Sequence, residues 1–368
     1  MIKIAVISHS CVVGENQKIW SKAGEKGIEV HLIFPEKWLE TYRGKMKSEI
    51  IENPNFYPHP EKAVLPPFQT LHTHFYYHPL KILKNISPQI VLIDEEPFSI
   101  PCFQFSIASL KMGIPFVFYT KENIFKRFPP PFSWIERFVL KRASAAIALT
   151  EEVKEVLRKK DFKKEIFVIP HGIDENLFKP EKDERKEVVI GYAGRIWKDK
   201  GIFDFLSALK RLHEAISDVR GLIVGKGPDE NELIREIKNL DYVEYIPGEH
   251  HSKMPEVYKK MDIIVLPSRT TKRWKEQLGR VLIEGAMCGV YPVGSSSGEI
   301  PNVVRNLGGK VFEEGNMDEL FWTLKWVIEK REFESKREEV RKNAVSHYSL
   351  NTIAEKIVEA IKILYYRG

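Results

Sequence analysis

VVIGYAGRIWKDKGIFDF, Val188 to Phe205, opens as a short apolar strand, ends that strand on a glycine, and runs through Arg195 and Lys200 into a helix that begins near Gly201. The stretch decides the fold because it restarts a pattern. Ahead of it lie KIAVIS (3 to 8), IEVHLIF (28 to 34), QIVLID (89 to 94), IPFVFYT (114 to 120) and SAAIALT (144 to 150), with helical stretches between them. After it come GLIVG (221 to 225), VEYIPG (243 to 248), DIIVLPS (262 to 268) and GVYPVGS (289 to 295). Buried apolar runs alternating with helices predict doubly wound α/β domains with parallel sheets. A chain of 368 residues is also long for one core.

The stretch IPHGIDENLFKPEKDERKE (169 to 187) has a linker's composition, with two prolines, a glycine and then a charged tract. The expected organisation is a first domain over 1–168, a linker over 169–187 and a second domain over 188–350. The last segment, 351–368, is a helix whose Ile353, Ile357, Ile361 and Leu364 share one face. It can return to the first domain. Two Rossmann-like halves predict a ligand cleft.

Apolar and charged content is that of a water-soluble globular chain, with 29% charged residues and a net charge of +6. Cys11, Cys102 and Cys288 are far apart and suggest neither a zinc knuckle nor a disulfide framework. MIKIAVISHS is not a signal peptide, and no run is long enough to span a bilayer, so a cytoplasmic location is expected. His72, His74 and His78 lack a carboxylate or cysteine close in sequence, so no metal is expected.

The chemistry gathers in WKEQLGRVLIEGAMCG, Trp274 to Gly289. As one continuous helix it would rotate Glu276 and Glu284 about 80° apart and make Glu284 a snorkelling side chain. A helix that starts near Gly279 instead leaves Glu276 in the preceding loop. Free N–H groups at Leu278 to Arg280 then point outward, and such an end attracts an anion. One carboxylate would accept from sugar hydroxyls and the other from a ribose diol. Arg195 and Lys200, just after a strand-end glycine, are suitable donors to a diphosphate, although a solvated charged turn explains them equally well. GKGP, from Gly225, is by itself a tight turn.

In the first half, the loops after KIAVIS and QIVLID border one crevice, so His9, Gly14, Asp94, Glu95 and Glu96 are candidates, with solvated acids at a helix start as the plain alternative. Aromatic and basic residues mix in Leu71 to Lys84 and in Glu122 to Arg142. Ordinary helix packing explains that mixture, and RNA stacking would use it too. A surface touching an anionic membrane fits better than nucleic acid, because Trp134, Phe138 and Val139 can share a helical side edged by Arg137, Lys141 and Arg142.

HGIDENLF (171 to 178), AGR with KG (193 to 201), GKGP, VLPSRTTKRWKEQLGRVLIEGAMCG (265 to 289) and GSSSGEIPNVV (294 to 304) together make the chain resemble a GT-B glycosyltransferase of family 4, the retaining class. The resemblance implies a sugar transferred from a UDP- or GDP-linked donor to a hydroxyl acceptor, which a lipid or a polysaccharide precursor would carry. No further cofactor and no nucleic acid are expected, and no obligatory metal either, because the second half shows no carboxylate cluster or D-x-D after a strand while Arg195, Lys200 and the helix end near Gly279 can serve the diphosphate. Glu276 would contact the donor sugar, Gln277, Leu278 and Gly279 would reach sugar and phosphate through their backbone, and Glu284 would hold the ribose. Arg195 and Lys200 would neutralise the departing diphosphate. Gly194 and Gly225 belong to the donor-binding strand ends, and the loop from Gly248 to Lys253 would read the base. The glutamates would not be a hydrolase pair.

The first half departs from the family pattern. Its loop HSCVVGEN carries only Gly14 where many relatives have two glycines, and Tyr119 to Asn123 stand where many have a histidine, so Glu122 is the candidate polar group near the reacting centre. A nucleotide-sugar epimerase and a non-catalytic two-domain sugar binder are the alternatives.

Overall fold

The structure is a computed structural model that describes residues 1–40, 44–64, 72–180 and 187–367. The chain divides into two compact units, one of Met1–Gly172 with Leu350–Gly368 and one of Ile173–Ser349. Residues 181–186 of the expected linker, Leu71 and Gly368 lie outside the described residues.

The first unit carries β1 (Ile2–Ile7), β2 (Ile28–Pro35), β3 (Lys37–Glu40), β4 (Gly44–Lys47), β5 (Phe56–Glu61), β6 (Ala63–Val64), β7 (Phe75–Tyr76), β8 (Ile90–Ile93), β9 (Phe116–Thr120), β10 (Ala145–Ala148) and β11 (Glu165–Val168). The main sheet runs β11-β10-β9-β8-β1-β2-β5 and is parallel at every described pairing. Its centre is apolar on both faces, with β8 and β9 wholly buried, as a sheet covered by helices on both sides requires. Strand order reverses between β1 and β8. That is the switch point at which open parallel sheets bind ligands, beyond the carboxyl ends of the strands. β5, which contains Pro58 and Pro60, lies at the sheet's edge, where missing N–H donors cost least.

The C-terminal helix, Leu350–Arg367, packs on the helix Gly14–Glu25 and buries Ile353, Ile357 and Ile361, while Leu364 is half-buried. Phe132–Arg142 is a helix that buries Ile135 and Val139. Phe138 meets Phe103 edge-on at 5.3 Å between ring centres. Trp134 is 64% exposed. The side expected to be shared by Trp134, Phe138 and Val139 is therefore split. Five positions along a helix is about 140° of rotation, so Val139 turns inward when Trp134 turns out.

The second unit has β12 (Val188–Ala193), β13 (Val219–Val224), β14 (Val243–Ile246), β15 (Ile263–Leu266), β16 (Tyr291–Ser295) and β17 (Lys310–Phe312). They form a parallel sheet in the order β14-β13-β12-β15-β16-β17, with its own reversal between β12 and β15. Helices cover Ile202–Ala215, Glu230–Ile237 and Met254–Tyr258.

Candidate active site

In the second unit the loops that follow β12 and β15 meet at the reversal. Gly201 caps the helix Ile202–Ala215 with φ 72°, and a Cβ there would lie 1.9 Å from the Pro267 carbonyl oxygen, so only glycine lets the two loops touch. Arg269 donates to both carboxylate oxygens of Asp204 at 2.6 Å, and its backbone N–H donates to Asp199 O at 2.8 Å. These contacts hold the β15 loop beside Lys200.

Lys200 Nζ lies 2.6 Å from Glu276 Oε2, which also accepts from Ser268 Oγ at 3.0 Å. The ammonium sits 4.7 Å from the centre of the Trp274 ring, which meets Trp197 edge-on. Glu276 is buried, and its carbonyl is pressed against Gly298, where a Cβ would come within 2.1 Å of it. Arg195 is exposed, its guanidinium 5.6 Å from the Trp197 ring centre. No ion pair to it occurs among the described residues. The strand-end glycines pack backbone on backbone: a Cβ on Gly225 would fall 1.7 Å from the Gly194 oxygen. Gly248 has φ 79° and lies against the Lys226 side chain.

The helix Arg280–Met287 starts behind Gly279, which is left-handed at φ 74° and receives no side-chain cap. Glu276, Gln277 and Leu278 therefore precede the helix and Glu284 is inside it, as the second of the two readings expects. Arg280 pairs within the helix with Glu284, Nε to Oε1 at 2.7 Å. His251 Nε2 lies 3.1 Å from the same oxygen, and Tyr258 donates its hydroxyl to Oε2 at 2.9 Å. Burial opposes ionisation of Glu284, but His251, Arg280 and Tyr258 outweigh it and hold the carboxyl below its usual range. A ribose diol would share this carboxylate with Arg280 and His251 or displace them. His251 lies in the loop expected to read the base, yet it turns to Glu284.

In the first unit the three consecutive acids after β8 are not solvated. Asp94 pairs with Lys121 Nζ at 2.6 Å and accepts from Ser8 Oγ at 2.7 Å. Glu96 accepts from Thr120 Oγ1 at 2.5 Å and from Lys121 N at 2.8 Å. Burial pushes its carboxyl up to about 6. Glu95 takes the backbone N–H of His9 and lies 2.7 Å from its Nδ1. Burial would lower the His9 imidazole, but the Glu95 charge and hydrogen bond hold it above its ordinary value. Gly14 begins the helix Gly14–Glu25, and its N–H donates to the Glu49 carboxylate at 2.5 Å, so that donor is already used within the chain. Glu122 bonds locally, pairing with Lys126 at 3.0 Å and accepting from Ile124 N at 3.2 Å. Trp197, Trp274, Ser268 and Tyr258 are site neighbours that spacing alone does not reveal.

Two parallel-sheet α/β units, each with its loops gathered at a reversal of strand order, are the architecture of the GT-B transferases. Sucrose-phosphate synthase from Thermosynechococcus elongatus superposes over 100% of both chains at TM-score 0.74 and 14% identity. HepE from Anabaena, solved with UDP, does so over 99% of this chain and 100% of its own at TM-score 0.73 and 16% identity. Residues 173–347 match the family described as Glycosyl transferases group 1 and residues 22–177 the one described as Glycosyltransferase Family 4. Both matched families are glycosyltransferases, and together they span residues 22–347.

Among its relatives, the gpi3 subunit of phosphatidylinositol N-acetylglucosaminyltransferase from Schizosaccharomyces pombe is 28% identical over 228 residues, 60% of this chain and 49% of that protein. The match therefore spans about half of that relative. The Escherichia coli UDP-Gal:alpha-D-GlcNAc-diphosphoundecaprenol alpha-1,3-galactosyltransferase is 26% identical over 284 residues, 70% of this chain and 71% of its own. Among the described residues no helix is long and apolar enough to cross a membrane.

Proposed function

We propose that the chain is a retaining, family 4 hexosyltransferase that moves a sugar from a UDP- or GDP-linked donor to the hydroxyl of a lipid-linked or glycan-precursor acceptor. The observation that carries this reading is the Lys200–Glu276 pair, 2.6 Å apart in the loops that end β12 and β15, beside the uncapped helix end at Gly279. In the donor complex the diphosphate takes the Lys200 ammonium together with the exposed Arg195 guanidinium, and the N–H groups behind Gly279 add the field of a helix end. Glu276, freed from Lys200, accepts from the sugar hydroxyls. Glu284 holds the ribose.

Negative charge grows on the diphosphate as the glycosidic bond breaks. Arg195 and Lys200 therefore stabilise the transition state more than the bound donor. They supply the charge that a divalent ion would otherwise bring to the diphosphate. Retention follows from attack on the face that the leaving group departs from, with the acceptor proton passing to the diphosphate. This half of the reading is supported by the family resemblance built around Glu276 and Glu284 alone.

The acceptor class is supported by the relatives, whose names record phosphatidylinositol and diphosphoundecaprenol acceptors. Phe125, Arg127, Trp134, Arg137, Lys141 and Arg142 are all exposed on the first unit, an aromatic and basic set suited to an anionic membrane surface. A panel of UDP and GDP sugars scored by thermal shift identifies the donor, since only a true ligand stabilises the folded chain by mass action. NMR of the first-formed product then reads the anomer. Stabilisation by no nucleotide sugar overturns the transferase reading, and an inverted product overturns retention alone.

A further inference from the structure

Four segments of the first unit converge on one carboxylate. His9 follows β1, Glu95 follows β8, His74 immediately precedes β7 and Trp38 lies on β3. His9 Nδ1 is 2.7 Å from Glu95 Oε2, and His74 Nε2 is 3.7 Å from Glu95 Oε1. The three donor atoms all lie within 4.8 Å of one another. Glu95 and His74 are buried at 2% and 1% exposure. Trp38 stacks on the His9 ring and meets the His74 ring edge-on, each at 5.1 Å between centres. The flanking acids are engaged elsewhere, Asp94 with Lys121 and Ser8 and Glu96 with Thr120. A single His–Glu hydrogen bond would account for His9, but not for a second buried imidazole brought to the same carboxylate.

We propose that His9, His74 and Glu95 form a binding site for one divalent transition ion of the zinc class, with a fourth position open to an oxygen ligand. Two imidazoles and one carboxylate are a donor set for zinc, cobalt or nickel rather than for magnesium or calcium. Bonds of about 2.0–2.2 Å in a tetrahedron place donor atoms roughly 3.4 Å apart, inside the span found here. Small side-chain rotations close the site. Binding displaces the proton that His9 Nδ1 shares with Glu95 and releases it to solvent, so affinity rises with pH until the imidazoles are neutral.

His74 is drawn from the His72, His74 and His78 cluster, whose spacing shows no carboxylate partner; Glu95 comes to it through the fold. The site lies at the carboxyl ends of β1 and β8, where the strand order reverses, so the open position faces the ligand crevice of that sheet. It belongs to the first unit and is independent of the donor reading, which concerns the second.

The test uses the full chain without a histidine tag, stripped with chelator and dialysed against Zn²⁺ or Co²⁺. Bound metal is measured by elemental analysis and the Co²⁺ form by its visible spectrum. One ion per chain is expected, with the intense bands of a four-coordinate cobalt site and release of about one proton near neutral pH. Glu95→Gln and His74→Gln are each expected to weaken binding at least tenfold, whereas His78→Ala, at an exposed imidazole, leaves it unchanged. Wild-type protein that retains no stoichiometric ion, or a weak octahedral cobalt spectrum, overturns the proposal. So does unchanged affinity in the folded Glu95 and His74 variants. The wild-type stoichiometry and spectrum decide the matter even if a variant does not fold.

Discussion

Lys200 and Glu276 are 76 positions apart in the chain and 2.6 Å apart in space. The pair joins the turn after β12 to the loop after β15, with Trp274 flanking the ammonium and Ser268 donating to the same carboxylate. The carboxylate is buried and the ammonium half-buried, so the charges of the proposed donor site are held by each other.

Replacing either cation near this site should act on turnover. Lys200→Ala and Arg195→Ala are each expected to lower kcat on the order of a hundredfold, the size known for loss of one donor to a developing anion. Lys200→Ala should also lower Tm in the absence of donor, because Glu276 keeps Ser268 but loses its cation; Arg195→Ala, exposed and outside any ion pair among the described residues, should leave Tm unchanged. Kinetics and differential scanning fluorimetry on both variants check this. Normal turnover in both removes the phosphate assignment.

Glu284→Gln tests a different contact. The buried carboxylate accepts from Arg280 and Tyr258 and lies 3.1 Å from His251 Nε2, so its loss is expected to weaken donor binding and also to destabilise the fold. The folded group titrates below its unfolded value, so its stabilising contribution is complete above about pH 4.3 and disappears as pH falls through the folded value. The stability gap between wild type and Glu284→Gln in urea melts should thus be constant near neutrality and shrink in acid. A gap that widens in acid contradicts the ionised state.

Gly201→Ala should be costly although it adds one methyl group. The left-handed backbone alone costs about 1–3 kcal/mol for a residue with a side chain, and the added Cβ would overlap the Pro267 carbonyl at 1.9 Å. The outcome expected is a lower Tm together with reduced donor-induced stabilisation. A Gly113→Ala variant has a similar φ of 68° but open space around its Cβ, and it provides the comparison. Equal effects would show that the close approach to Pro267 contributes nothing.

Membrane contact by the exposed set on Phe132–Arg142 and its approach is checked by flotation with anionic vesicles. Binding is expected at low salt and should fall with added salt, because attraction of this kind is screened over about 10 Å at 0.1 M. Trp134→Ala and Arg137→Glu should each weaken it, while Phe138→Ala should act on stability, since that ring packs on Phe103. Wild type that stays with the soluble fraction at low salt makes a soluble acceptor the better reading.

The parts that were legible in advance are local. Recurrent apolar runs reveal the two sheets because parallel strands buried on both faces read as continuous hydrophobic segments. The start of the helix behind Gly279 could be read from one glycine between two carboxylates. β5 escaped because Pro58 and Pro60 argue against a strand and say nothing of an edge. Glu95 escaped as a partner for His74 because 21 positions of chain, read without the fold, carry no hint of 3.7 Å. The inward turn of Val139 was available from helical rotation, but aromatic content gave Trp134 and Val139 the same apparent weight.

The helix Leu350–Arg367 makes the second unit an insertion into the first. A fragment that stops at Gly172 would therefore carry the whole main sheet of the first unit and yet leave the helix Gly14–Glu25 without the apolar row of Ile353, Ile357 and Ile361. During synthesis the same dependence holds in time. Ile173–Ser349 is fully translated before the residues that seal the first unit emerge, so the early half of the chain waits with an uncovered apolar face until the last helix arrives. A detached peptide of 350–367, added in trans, is the natural means of completing such a fragment.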